Sequence, residues 1–190
     1  MGTSILFCWL GMTDLRAASG EKEVGIGPVA QALASRPFKE VVLLNNWEKA
    51  AAKKIIVWLQ KQTQSILTVK HIHLSSPTNF GEIHQAASSI ISEKIKEHGP
   101  EINLVFHMSP GTPAMAAVWI LLAKTRFPAE LIESSKEHGV RTASVPFDIS
   151  AEFLPDLLKK TDKSIERLAA GIRSFSISSG SECCTILAFG

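Results

Sequence analysis

Cysteine is scarce in this chain, with three in 190 residues. Cys8 sits inside an apolar run, and Cys183 and Cys184 are adjacent near the end. That spacing excludes a disulfide framework and a CxxC zinc site, and it fits a reducing cytoplasm. Excess charge of one sign is lacking too. The formal net charge is +2, so neither a broad phosphate-binding surface nor direct binding to double-stranded DNA is expected. No membrane-length apolar run opens the chain. The stretch SILFCWLGM (4–12) is too short to cross a bilayer and has no basic segment before it. Familiar catalytic and cofactor motifs are missing as well. There is no GxxxxGK[ST], no HExxH and no GxSxG, and GEKEVGIG (20–27) does not have the spacing of a dinucleotide fingerprint. His71 and His73 share one strand face, while His84, His98, His107 and His138 are scattered without a carboxylate at metal-ligand spacing. Neither a metal nor a cofactor is expected. No internal repeat or long low-complexity linker interrupts the chain.

What is present is an alternation. Hydrophobic residues make up 45% and charged residues 20% of the chain, enough for one domain with a full core. Short apolar runs at 4–10, 39–45, 66–74 and 102–108 predict strands. Segments of helical period at 27–36, 47–62, 79–99 and 112–125 follow them. Pro28 suits a first helical turn and Gly99 a helix end. The stretches 129–134 and 140–147, split by SKEHG (135–139), predict an antiparallel hairpin. Four strand–helix units in succession imply parallel strands, and near-continuous apolar runs imply helices on both faces. The expected fold is therefore α/β: a Rossmann-like three-layer sandwich whose mainly parallel sheet has about six strands, the last two an antiparallel hairpin. It occupies residues 1–148. Residues 149–190 form an extension, with one or two amphipathic helices over 150–172 and a final strand or loose tail from Ser174.

Open parallel sheets bind ligands at the carboxyl ends of their strands, where strand order reverses. Those ends are polar here. Gly11, Met12, Thr13 and Asp14 follow the first strand, Asn45, Asn46 and Trp47 the second, and Ser75 and Ser76 the third. Ser109, Pro110, Gly111 and Thr112 follow the fourth. Thr112 or Ser109 can cap the next helix, Pro113 suits its first turn, and Gly111 lets a ligand approach the backbone. Free N–H groups there would favour an anion such as phosphate, although a well-capped helix start accounts for the same residues. Trp47 is placed either to stack on a base or to pack in the core. His107 is a ligand contact or a core histidine. Cys8, Trp9, Trp58 and Trp119 are expected in the core, and EKIKEHGPE (93–101) on a solvated helix face.

A strand, a Ser/Thr-x-Gly-Thr turn and a helix of small residues, in MSPGTPAMAAVWILLAKT (108–125), resemble the signature of CRISPR-associated Rossmann-fold (CARF) domains. Together with WLGMTDLRAA (9–18) and GPVAQALASRPFKEVVLL (27–44), the chain looks most like the amino-terminal sensor domain of the RNA-repair transcriptional activator and related sigma-54-dependent regulators. The resemblance implies a homodimer that binds a cyclic oligoadenylate or an RNA end at the strand ends. It places Ser109, Gly111 and Thr112 against phosphate or ribose, and Gly11, Thr13 and Asp14 in a loop facing the same pocket. It also implies an alternative, a metal-independent ring nuclease with Ser109, Thr112 and Thr13 in its catalytic centre. Many ligand-cleaving members carry lysine directly after the Gly-Thr, where this chain has Pro113, and many have a second glycine in place of Pro110. Regulators of this type continue into ATPase and DNA-binding modules, so the chain is expected to be a sensor fragment or a stand-alone member.

Overall fold

The computed structural model describes residues 4–146; the extension expected over 149–190 lies outside the described residues. The chain runs β1 (Ser4–Trp9), α1 (Met12–Ala18), a short 3₁₀ turn (Lys22–Val24), α2 (Pro28–Ser35), β2 (Glu40–Asn45), α3 (Lys49–Gln60) and β3 (Ile66–His71). It continues through α4 (Phe80–His98), β4 (Asn103–His107), α5 (Pro113–Thr125), β5 (Glu130–Ser135) and β6 (Gly139–Thr142). One six-stranded sheet has the order β3-β2-β1-β4-β5-β6. Its first five strands are mutually parallel and β6 pairs antiparallel with β5, Ile132 opposite Thr142. This is the expected Rossmann-like α/β sandwich with a terminal hairpin.

The apolar runs explain the layering. Alternate residues of the central strands point to opposite faces. Leu6, Cys8, Val41 and Leu43 pack on the face covered by α2 and α3, with Leu15 and Ala18 of α1 beside them. Ile5, Phe7, Trp9, Val42 and Phe106 pack on the face covered by α4 and α5. Phe106 stacks on Trp119 with centroids 4.7 Å apart and meets Phe7 edge-on at 5.8 Å. Trp9, Trp119 and Cys8 are fully buried, whereas Trp58 is half-buried, packed against the edge of the core.

Two readings of the sequence are corrected. Residues 11–14, expected as a loop, belong to α1 except for Gly11, its N-cap. Seven residues are too few to show a helical period, so the element is invisible to pattern reading. The stretch 93–101 is not a uniformly solvated face either. Lys94 is 4% exposed, and its Nζ lies 2.6 Å from Glu40 Oε1 and 2.8 Å from Glu97 Oε2. His98 also has a carboxylate partner, its Nε2 lying 2.7 Å from Glu40 Oε2. Burial alone pushes the Glu40 carboxyl upward. Hydrogen bonds from Lys94, Thr68 and His98 outweigh that and hold it below its ordinary value. This network lies at the amino-terminal end of β2, at the opposite end of the strand from the polar rim. No helix among the described residues is long and apolar enough to cross a membrane.

Candidate functional site

Strand order reverses around β1. The chain steps outward through β2 and β3 on one side, then returns to place β4 on the other. The carboxyl ends of β1, β2 and β4 therefore meet where no helix crosses above them, which is where open α/β sheets leave a crevice. A cleft of about 340 Å³ occupies this point, within the usual range for small-molecule sites. Its wall is formed by Leu10, Gly11 and Met12 after β1, Asn46 and Trp47 after β2, and Gly111, Thr112 and Met115 after β4. Pro77, from the β3–α4 connection, completes it. Two other hollows serve less well as sites. One of about 460 Å³ lies at the amino-terminal strand ends beside the Arg36–Glu130 ion pair. The other, about 560 Å³, is a shallow trough along α3 beside Ala18 of α1, bordered by Lys53, Lys54 and Lys61.

Each wall is fixed by local chemistry. Trp47 is anchored at both ends: its indole Nε1 donates to the Leu10 carbonyl at 2.8 Å, and its N–H donates to Asn45 Oδ1 at 3.0 Å. Asn45 Nδ2 in turn donates to the Trp47 carbonyl at 3.1 Å and lies 2.9 Å from His71 Nδ1. The indole is thus fixed at the cleft wall, half-buried and packed against the edge of the core. On the opposite side the Thr112 hydroxyl caps α5, accepting from Met115 N–H at 3.4 Å and donating to the Pro77 carbonyl at 2.7 Å. One hydroxyl so joins the α5 start to the β3–α4 connection. Thr112→Ala is expected to lower the unfolding free energy by about 1 kcal/mol, the usual cost of a lost cap. Urea denaturation measures it, and Thr112→Ser should restore most of the loss.

The backbone closes the floor. Gly111 has φ +98°, and a Cβ there would lie 2.7 Å from Met115 Sδ and 3.1 Å from Trp9 Cβ. A Cβ on Gly11 would lie 3.0 Å from the Gly111 nitrogen. The β1 and β4 turns are therefore packed glycine against glycine, and side chains larger than hydrogen do not fit between them. Among the described residues the Gly111 N–H makes no hydrogen bond, and the Thr112 N–H meets only the Met115 sulfur at 3.3 Å. One unspent backbone donor, the Gly111 N–H, and one held only by a thioether thus border a mainly apolar cleft.

Of the residues singled out from sequence, Gly11, Met12, Asn46, Trp47, Gly111 and Thr112 line the cleft. The others lie elsewhere. Thr13 is exposed on α1, and Pro110 is buried behind the turn. Ser109 faces β5, donating to the Ser134 carbonyl at 3.0 Å and accepting from its N–H at 2.6 Å. Ser75 and Ser76 organise the β3–α4 connection: the Ser75 N–H donates to Glu82 Oε2 at 2.6 Å, and the Ser76 hydroxyl pairs with Thr78 at 2.9 Å. Asn45 is buried beneath Trp47. Asp14 is fully buried, its carboxylate accepting from Gly11 N–H at 3.1 Å and Val29 N–H at 2.9 Å. Burial pushes that carboxyl up to about 6, even though both N–H groups favour its ionised form. His107 is a core residue, its Nε2 2.9 Å from the Ser134 hydroxyl, and burial pushes it down to about 3. Leu10, Pro77 and Met115 escape sequence reasoning because apolar and turn residues carry no chemical signature. Only the position of Met115, three after Thr112, hints at the wall.

No protein-family model matches the sequence, and no curated protein matches it. Solved structures do. Csm6 from Enterococcus italicus, bound to cyclic hexa-2'-fluoro-hexa-dAMP, superposes with a TM-score of 0.60 at 16% identity, covering 76% of this chain and 36% of that one. Can2 from Sulfobacillus thermosulfidooxidans, in complex with cyclic tetra-adenylate, matches 98% of this chain and 54% of that one at 14% identity and a TM-score of 0.48. This chain spans little more than a third of Csm6, and with it shares a fold: a Rossmann-like α/β sheet.

Proposed function

We propose that the chain is a CARF-type nucleotide sensor. It binds a cyclic oligoadenylate, with cyclic tetra-adenylate the favoured ring, in a symmetric pocket formed by two copies in the cytoplasm. One observation carries the reading: the cleft at the reversal of strand order combines an anchored indole with a glycine floor and the unpartnered Gly111 N–H. An apolar slot flanked by Trp47 suits a nucleobase, and N–H groups at Gly111 and Thr112 suit a phosphate or ribose oxygen. Two-fold pairing of such sites suits a ring, because one set of residues serves twice. The fold likeness to Csm6, solved with a cyclic nucleotide ring, supports the same ligand class. Binding would shift dimer geometry and thereby regulate a CRISPR-linked or RNA-repair response, as the sequence resemblance to RNA-repair regulators suggests.

Binding without cleavage is the better reading. The ring-nuclease alternative needs hydroxyls free to position a ribose 2'-hydroxyl in line with its phosphate. The Ser109 and Thr112 hydroxyls are already engaged, and Thr13 is not part of the cleft wall.

Calorimetric titration with cyclic tetra-adenylate, cyclic hexa-adenylate and RNA ending in a 2',3'-cyclic phosphate tests the proposal. Saturable heat with a ring at one ring per two chains is expected. No heat with either ring sinks it. Trp47→Ala should weaken binding by about tenfold or more, the usual worth of one base stacked on an aromatic ring. Trp47→Phe should keep most of the affinity. Ligand recovered intact after hours in EDTA supports sensing, and linear products with 2',3'-cyclic phosphate ends would support the nuclease.

A further inference from the structure

Asp14 is the one cleft-side carboxylate that sequence reasoning turned toward a ligand, and its geometry assigns it different work. Its side chain faces away from the cleft. Oδ2 holds the Gly11 N–H at 3.1 Å and Oδ1 holds the Val29 N–H at 2.9 Å, in the first turn of α2. The fit is close on both sides. A Cβ on Gly11 would stand 3.3 Å from Oδ2, and one on Gly27 would stand 3.0 Å from Oδ1. Gly11 in turn touches the 110–111 turn, since the same Cβ would lie 3.0 Å from the Gly111 nitrogen and 3.5 Å from Pro110 Cα. One buried carboxylate therefore pins the β1 turn to the start of α2, and the β1 turn lies against the turn that carries the unpartnered Gly111 N–H.

We infer that Asp14 is a positioning residue: by clamping Gly11 to the amino terminus of α2, it sets the glycine wall of the cleft, and with it the affinity for ligand. The part concerning affinity rests on the proposed nucleotide-binding reading; the clamp itself does not. An ionised carboxylate accepts both N–H groups strongly, and protonation weakens both bonds together. Loss of the charge therefore loosens both attachments at once. Because burial raises the Asp14 carboxyl to about 6, that change falls within an accessible pH range.

Few other groups near the clamp can mimic this. Cys8 on β1 stays a thiol, since burial and then the Asp14 charge both raise it, and His107 on β4 stays neutral across this range. The segment Pro28–Ser35 holds no titratable side chain. On α1 itself, Arg16 is exposed and paired with Glu21 at 2.7 Å, and Lys22 and Glu23 of the 3₁₀ turn are exposed, as are Lys53, Lys54 and Lys61 beside α1 along α3. Across the cleft, His71 touches the Asn45–Trp47 turn through Asn45, so affinity is measured in the parent protein and in His71→Gln, and only a pH dependence common to both is assigned to Asp14.

The test is an NMR pH titration of the nitrogen-15-labelled full chain between pH 4.5 and 8, with and without Asp14→Asn. The Gly11 and Val29 amide signals should move together through one midpoint near 6. In Asp14→Asn, which keeps one acceptor, that transition should vanish while the fold persists. Cyclic tetra-adenylate affinity should fall about fivefold from pH 7.5 to 5.0 with the same midpoint, and Asp14→Asn should remove the dependence. The phosphodiesters of the ring do not titrate in this range. Amide signals that ignore pH, or that move with separate midpoints, overturn the clamp. Affinity that is flat with pH in a binding-competent protein overturns its role in positioning. Failure of the parent protein to bind at any pH refutes the nucleotide reading instead, while the amide titration still decides whether the clamp exists.

Discussion

Gly111→Ala is expected to weaken ligand binding by about 30-fold, an overpacking cost in the middle of the usual range. It should also lower the unfolding free energy by about 2 kcal/mol. The reasons are local and separate. At φ +98° an L side chain is strained wherever it points. The added methyl would in addition meet Met115 Sδ at 2.7 Å and the Trp9 Cβ at 3.1 Å. Trp9 is buried and cannot retreat, so the Met115 thioether must move, and the space nearest it is the cleft that it lines. The methyl therefore fills the site indirectly, by displacing a wall residue into it. Calorimetry gives the affinity and a urea transition the stability. Unchanged affinity in a folded Gly111→Ala protein would mean that the ligand sits elsewhere.

Lys94→Met should have the largest effect on stability, about 3 kcal/mol or more, because it strands a buried carboxylate. Glu40 is 3% exposed, and Lys94 supplies its nearest positive charge at 2.6 Å. Without that ammonium, only Thr68 and His98 remain to satisfy it. Removing both charges in Glu40→Gln/Lys94→Met should recover much of the loss, since no unpaired charge is then left inside. The pH dependence has a definite sign. The folded protein holds Glu40 below its ordinary value, so its ionisation contributes stability above the ordinary glutamate pKa of about 4.3. That contribution is lost as pH falls through the lower folded value, and Lys94→Met should weaken this acid-side transition. Urea midpoints across pH 3 to 7 for the three proteins measure both effects. A loss below about 1 kcal/mol for Lys94→Met would show that water reaches the pair readily, as at an exposed ion pair.

The polar rim and the buried network differ in how well the sequence reveals them. The rim is legible because strand ends follow from the apolar runs, and ligand residues gather at strand ends. Position on the rim is not the same as facing the cleft. Thr13 and Asp14 are consecutive on α1, yet one is exposed and the other fully buried. Ser109 and Thr112 are three residues apart, yet one hydroxyl turns to β5 and the other to Pro77. The network is hidden for a different reason. Glu40 and Lys94 are 54 positions apart, and each by itself reads as an ordinary surface charge. Only the docking of α4 across the sheet makes them partners.

By itself the sequence determined the alternation of strands and helices, the parallel sheet and its closing hairpin. Hydrophobic period and turn residues act locally, so a linear reading recovers them. It also determined which turns meet at the sheet's carboxyl end, including Ser-Pro-Gly-Thr-Pro. The tertiary structure alone decided where those turns face. It brought Gly11 against Gly111, tied Trp47 to the Leu10 carbonyl, and turned Asp14 into the interior. Those outcomes depend on contacts between residues distant along the chain. Side-chain direction is settled by packing and by the need of each buried polar group for a partner, and neither is written in local sequence.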